Sequence, residues 1–260
     1  MDLRDYLTDT ARAVAFLSRI RVPSSFLGDH DGGLSRAIRA FPFAGVIITL
    51  PAALVFGLML AFGASELVAS ISALGVQALI TGALHEDGLS DAADGLGGGR
   101  DREHALAIMK DSRIGSYGAV ALILVIGLRA AALADLGTHL SAPGASACLI
   151  GVAALSRALM VWHWSALPPA RADGIAAGAG MPEKQALQMA LLAGLLLAAI
   201  FLLPASSVFA VVAAILASSL AAATFTSLAR RRLDGHTGDT IGATQQICEA
   251  VALTTLAMAT

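Results

Sequence analysis

The sequence predicts an all-α, polytopic membrane helical bundle, with about seven transmembrane helices and an amphipathic helix ahead of them. Three observations carry that expectation. Of 260 residues, 57% are hydrophobic and only 14% are charged, whereas a soluble domain usually holds about 25% charged residues. Aromatics make up only 5%, so the excess is not an aromatic core but runs of Ala, Leu, Val, Ile and Gly. Those runs are about 17–25 residues long, the length at which a helix crosses a bilayer.

The N-terminal stretch "MDLRDYLTDTARAVAFLSRIRVP" has acids near its start and no uninterrupted apolar segment, so it does not read as a signal peptide. Leu3, Leu7, Val14 and Leu17 recur near helical spacing, with Arg12, Arg19 and Arg21 between or after them. That pattern predicts an amphipathic helix on the membrane surface, or a short helix packed on the bundle. Residues 1–40 form an interfacial segment. Spans are then expected at 41–63, 66–85, 116–136, 143–164, 186–204, 207–229 and 244–260. Cys148 and Cys248 fall in spans, toward opposite faces, and read as small buried apolar residues rather than a disulfide.

Positive charge sets the orientation. Of 17 Lys and Arg, only Arg129 and Arg157 lie inside spans, and the connections near 64, 140 and 205 hold none. The charged loops are therefore expected on the cytoplasmic side, with the N-terminus inside. Arg157 can serve a site or act as a structural partner. Arg129 is expected to pair with a carbonyl or with an acid such as Asp135. His163, between Trp162 and Trp164, reads as part of an interfacial aromatic belt.

The chemistry concentrates in two polar islands on that side, at 85–115 and 230–243. In "HEDGLSDAADGLGGGRDREHALAIMKDSRIGSYG", Asp87, Asp91 and Asp94 stand at i, i+4 and i+7. On a helix continuing from the second span they share one face. Crowded carboxylates repel, and a divalent cation removes the repulsion. Hard oxygen donors suit Mg²⁺, with Mn²⁺ as the alternative. Glu86, Asp87, Asp91 and Asp94 are the expected metal ligands, with Asp91 and Asp94 catalytic. Gly97 and Gly98 in "GLGGG" can bring backbone N–H groups to an anion. Arg100, Lys110, Ser112 and Arg113 then supply phosphate-binding groups. Lys110 and Arg113 are spaced to share one helical turn. Acids, glycines and bases in that order suit metal-assisted phosphoryl transfer. The second island, "RRRLDGHTGDTIGATQQICEA", offers Thr237 and Gly238 as phosphate binders and Asp239 as a third catalytic acid. Asp239 is expected to ligate metal or act as base, unless it merely caps the last helix. Gln245, Gln246 and Glu249 form a polar stripe entering the last span.

The motifs "DGLSDAADGLGG", "IMKDSRIGSYG" and "HTGDTIGA", supported by "FLSRIRVP" at 16–23 and "FPFAGVII" at 41–48, resemble those of the cobalamin synthase family, the adenosylcobinamide-GDP ribazoletransferases. The resemblance covers nearly the whole chain, as one integral membrane catalytic domain over 1–260. It implies that a ribose hydroxyl of α-ribazole or its 5′-phosphate attacks adenosylcobinamide-GDP at the phosphorus borne by cobinamide, releasing GMP. It also implies Mg²⁺, the bacterial cytoplasmic membrane, small-molecule substrates and no nucleic acid, and it permits a homo-oligomer. "DAADG" at 91–95 also matches the start of the CDP-alcohol phosphotransferase pattern, but "DGLGGGR" departs from its continuation. A cation-coupled transporter is a third reading. The acids cluster at one face and no internal repeat is visible, and both features disfavour it.

Overall fold

The structure is a computed structural model that describes residues 3–26, 33–174 and 178–260. The elements are α1 (Leu3–Leu17), α2 (Gly33–Ala37), α3 (Phe41–Ala61), α4 (Glu66–Thr81), α5 (Leu84–Gly98), α6 (Arg102–Ile108), α7 (Ser116–His139), α8 (Ala142–Ala166), α9 (Lys184–Leu202), α10 (Val208–Leu233) and α11 (Gly238–Met258). Among the described residues, short 3₁₀ turns occur at Ser24–Phe26 and Ile38–Ala40. The all-α class is borne out, and the chain is a multi-pass membrane protein.

The count of seven spans is not confirmed. Among the described residues five helices are long and apolar enough to cross a membrane: Gly33–Ala61 (α2 and α3 run together), α7, α8, α9 and α10. A sixth crossing needs α4 and α5 taken as one span, and these meet at 91°. The continuous helix expected from the second span through Asp94 is therefore broken. Gly82 (φ +67°) and Ala83 (φ +57°) both adopt the left-handed conformation and turn the chain. The Arg19 side chain packs against Gly82. Glycine suits the first of these two positions, and Ala83 carries the steric cost of the second.

α8 is the central post. Of its most apolar stretch, 83% is buried, against 28% for each of α7, α9 and α10, which expose Leu, Ile and Val outward as lipid-facing helices do. Small residues let neighbours close on α8: Gly45 of α3 faces the Arg157 side chain, and Gly194 of α9 faces Ala158. α11 runs through the interior. Its Thr244, Gln245, Gln246 and Glu249 are all buried, which is why it fails as a lipid-facing span.

The expected belt role of His163 is not found. His163 is fully buried, with Nδ1 2.8 Å from Thr226 Oγ1 and Nε2 3.0 Å from Thr240 Oγ1. Its neighbour Trp164 is buried too. Asp135 pairs with His139 rather than Arg129. α1 is packed on the bundle: Ala13, Val14 and Leu17 are buried with Ile38, Phe41 and Ile48. Asp9 accepts a 2.6 Å hydrogen bond from Arg39 Nε. The Val14 and Leu17 part of the apolar face of α1 is therefore covered by protein, while Leu7 is exposed. Cys148 and Cys248 are free and buried.

Candidate active site

The N-terminus of α11 and the length of α5 are pressed together. A Cβ on Gly88 would lie 2.9 Å from the carbonyl oxygen of Asp239 and 3.4 Å from Cα of Gly242. This is the close approach that glycine permits. The two polar islands, about 145 residues apart in sequence, thus share one wall. A third segment joins them. Ala170 N–H donates to His236 C=O and His236 N–H donates to Pro168 C=O, both at 2.8 Å. This bridge sets Arg171 beside Asp239, with Nη2 3.3 Å from Oδ2.

These pieces enclose a cavity of about 540 Å³. Asp87, Asp239, Arg171 and Gly238 line one part of it; Phe16, Leu17, Met160 and Trp164 line another. The N-terminal helix is thus a wall of the cavity. Sequence reasoning missed Arg171, His236, Trp164 and the α1 wall. A usable signal existed only for Arg171, an arginine just after Pro168 and Pro169.

Asp91 and Asp239 carry the electrostatic signature of a site. Both lie outside the five long apolar helices. Burial, then the charges of Asp87, Asp239 and Asp94, raise the Asp91 carboxyl to about 7. Burial raises Asp239 as well, against the opposing pull of Arg171. Carboxylates that are crowded and short of positive charge suit a hard cation or a proton transfer. Among the described residues no three His, Cys, Asp or Glu converge tightly enough to hold a metal ion unaided. Mg²⁺ typically takes only one or two carboxylates, completing its shell with phosphate oxygens and water. One or two of Asp87, Asp91 and Asp239 meet that requirement.

The other expected residues are placed differently. Both oxygens of Asp94 are taken by backbone N–H groups at the start of α7: Gly115 at 2.7 Å and Gly118 at 2.9 Å. Asp94 thus pins α5 to the positive end of α7, and it is buried there. Glu86 turns into the bundle, accepting from Gln246 Nε2 at 3.0 Å and lying 3.4 Å from Arg129 Nη1. It belongs to a buried network in which Arg129 also bonds Glu249, and Arg157 lies 3.6 Å from the other Glu249 oxygen. Neither Glu86 nor Asp94 faces the cavity as a metal ligand would.

The glycine run is not an anion loop. Gly97 and Gly98 are inside α5, and their role is packing: Gly97 lies under the Tyr117 ring and Gly98 faces Ile108. Helical N–H groups are already used within the helix. Lys110 and Arg113 do not share a helical turn, since α6 ends at Ile108. Lys110 pairs with Asp173 at 2.6 Å, and Arg113 with Asp111 at 2.5 Å, both at the surface. Arg100 is exposed beside Asp101, and Ser112 is exposed in a non-helical stretch. Thr237 is the cap of α11: its Oγ1 accepts from Thr240 N–H at 3.2 Å and donates to Asp239 at 3.1 Å. Its hydroxyl is engaged, and Asp239 is relieved of the capping role. Gly238 keeps open space around it at the cavity wall, at the helix N-terminus.

The chain is similar to proteins named adenosylcobinamide-GDP ribazoletransferase. The one from Rhizobium johnstonii is 54% identical over 259 residues, covering all of both chains. That from Sinorhizobium medicae is 56% identical over 259 residues and 99% of each chain. That from Azorhizobium caulinodans is 46% identical over 245 residues, 94% of this chain and 92% of its own. No solved structure matches the chain. The family profile described as Cobalamin-5-phosphate synthase matches residues 9–257. With that match running almost end to end, the chain belongs to the cobalamin-5-phosphate synthase family.

Proposed function

We propose that the chain is a membrane transferase that joins adenosylcobinamide-GDP to α-ribazole or α-ribazole 5′-phosphate and releases GMP, in cobalamin biosynthesis. The observation that carries this reading is the meeting of Asp87 and Asp239 with Arg171 around one cavity, with the Asp91 carboxyl close enough behind them to feel the charge of all three. Relatives bearing that activity's name over their full length support it. The charged face, with α5 and the start of α11, lies in the cytoplasm of a bacterium, and the helices cross its cytoplasmic membrane.

The ribose hydroxyl oxygen forms a bond to the phosphorus borne by cobinamide. The phosphoanhydride bond breaks, and its electron pair leaves with GMP. Asp239 or Asp91 accepts the hydroxyl proton; burial raises both carboxyls, and that of Asp91 to about 7, where a base works near neutral pH. Arg171 exchanges part of its contact with Asp239 for a phosphate oxygen, and its Nη1 has no partner among the described residues. The backbone N–H groups at the start of α11, around Gly238, face the same anion. One or two of Asp87, Asp91 and Asp239 would hold Mg²⁺, or Mn²⁺ in its place, leaving another of them free as the base, and the ion would supply charge neutralisation at the diphosphate.

The test is acceptor-dependent GMP release. Purified protein with Mg²⁺ and adenosylcobinamide-GDP releases GMP only when α-ribazole or its phosphate is added. A CDP-alcohol phosphotransferase would instead release CMP from a CDP-linked lipid precursor, and that outcome would replace this reading.

A further inference from the structure

The four acids of α5 divide by what they meet. Asp87 lines the cavity, and Asp91 feels the charges of Asp87 and Asp239. Glu86 and Asp94 bracket these two and are tied to α7. Asp94 takes the N–H groups of Gly115 and Gly118, and Glu86 Oε1 lies 3.4 Å from Arg129 Nη1. The same Glu86 oxygen accepts from Gln246 Nε2 of α11 at 3.0 Å, and Gln246 Oε1 accepts from Arg129 Nη1 at 2.7 Å. These three side chains close a ring across α5, α7 and α11. Glu249 of α11 holds the other Arg129 nitrogen, Nη2. The side chains of Arg129 and Glu249 are 2% and 0% exposed, and none of Glu86, Arg129 and Gln246 lines the cavity.

We propose that Glu86 and Arg129 are positioning residues: their ring with Gln246 fixes the slide and rotation of α5 on α11, and so the spacing of Asp87 and Asp91 from Asp239. The inference rests on the transferase reading above for what that spacing serves. The glycine contact at Gly88 sets how near the two helices come. Packing of that kind opposes sliding and turning only weakly, whereas a hydrogen bond to a charged group is directional. Gln246 lies about two helical turns beyond Asp239, on the same face of α11. Glu86 is the chain neighbour of Asp87. Movement at the ring is therefore passed directly to the carboxylates of the cavity. Stability alone gives no reason for the ring, since a buried ion pair is often no more stabilising than well-packed apolar side chains of like volume.

Glu86→Ala and Arg129→Lys test the pair. Lysine keeps the charge and loses the fork that reaches Glu86, Gln246 and Glu249 together. At saturating Mg²⁺ each variant should lower kcat for acceptor-dependent GMP release about tenfold or more, with both substrate KM values within about twofold. Glu86→Gln keeps an acceptor oxygen for Arg129 and Gln246 and should stay within about threefold of the wild type. The double variant should be about as slow as the slower single one, because Arg129 acts through Glu86. Mn²⁺ affinity, read by electron paramagnetic resonance without substrate, should weaken about tenfold in Glu86→Ala and hold within about threefold in Glu86→Gln. If Arg129→Lys does not assemble in the membrane, Gln246→Met opens the other side of the ring and takes its place in the cycle. Losses that multiply, a Glu86→Gln as slow as Glu86→Ala, or wild-type kinetics in Glu86→Ala would overturn the positioning role and leave the transferase reading intact. Wild-type protein that releases no GMP, while Mn²⁺ affinity follows the expected order, would overturn the transferase reading and leave the positioning role standing.

Discussion

Gly88 and Asp239 touch: a Cβ on Gly88 would sit 2.9 Å from the Asp239 carbonyl oxygen. This single close approach lets α5 and α11 present their carboxylates to one cavity. Gly88→Ala should push the helices apart by a fraction of an ångström or more. Misplacement of about 1 Å can cost on the order of a hundredfold in rate. Turnover should therefore fall strongly while the helical circular dichroism stays intact. Full activity in Gly88→Ala would mean that the approach has no catalytic role.

Asp239 and Thr237 separate chemistry from capping. Thr237 caps α11, so Thr237→Ala should cost about 0.5–2 kcal/mol of stability. Asp239→Asn should keep its thermal midpoint and lose about a hundredfold or more in turnover. The reverse pattern, a lower midpoint with normal turnover, would assign Asp239 to structure.

Arg171, rather than Lys110, should hold the diphosphate. Lys110 sits in an exposed pair with Asp173, of a kind worth roughly 0–1 kcal/mol. Arg171→Gln should raise the KM for adenosylcobinamide-GDP about tenfold or more, and Lys110→Ala should leave it within about twofold. Equal effects would return Lys110 to the site.

Asp91 gives a pH signature. Its carboxyl stands near 7 in the folded protein against 3.8 when free. Between those values the folded state binds the extra proton, so metal-free stability should fall as pH rises through that window. Asp91→Asn should flatten that slope. Mg²⁺ should displace the proton, so its affinity should rise with pH up to about 7 and then level. A metal affinity independent of pH across this window would contradict the placement of Asp91.

The helical membrane architecture was legible because apolar run length is a property of local sequence. The break between α4 and α5 was not, because it turns on the left-handed conformation of Ala83, a residue that gives no turn signal. The acids of α5 were found by spacing, but spacing cannot say which neighbour each one meets. Asp94 found the N–H groups of α7, and Glu86 found Arg129 and Gln246. The glycines after them looked like a loop because helix packing and anion binding call for the same small residue. Arg171 reaches the site through the bridge between Pro169 and His236, a contact between segments far apart in sequence that no local pattern encodes.

The central claim is that Asp91 of α5 and Asp239 of α11 serve one reaction. It is tested most directly by acceptor-dependent GMP release from adenosylcobinamide-GDP in Asp91→Asn, Asp239→Asn and the double variant. Groups that act as one unit are non-additive. The double variant should therefore be no slower than about the slower single variant. Losses that multiply in the double variant would place the two carboxylates in separate roles and contradict the shared site.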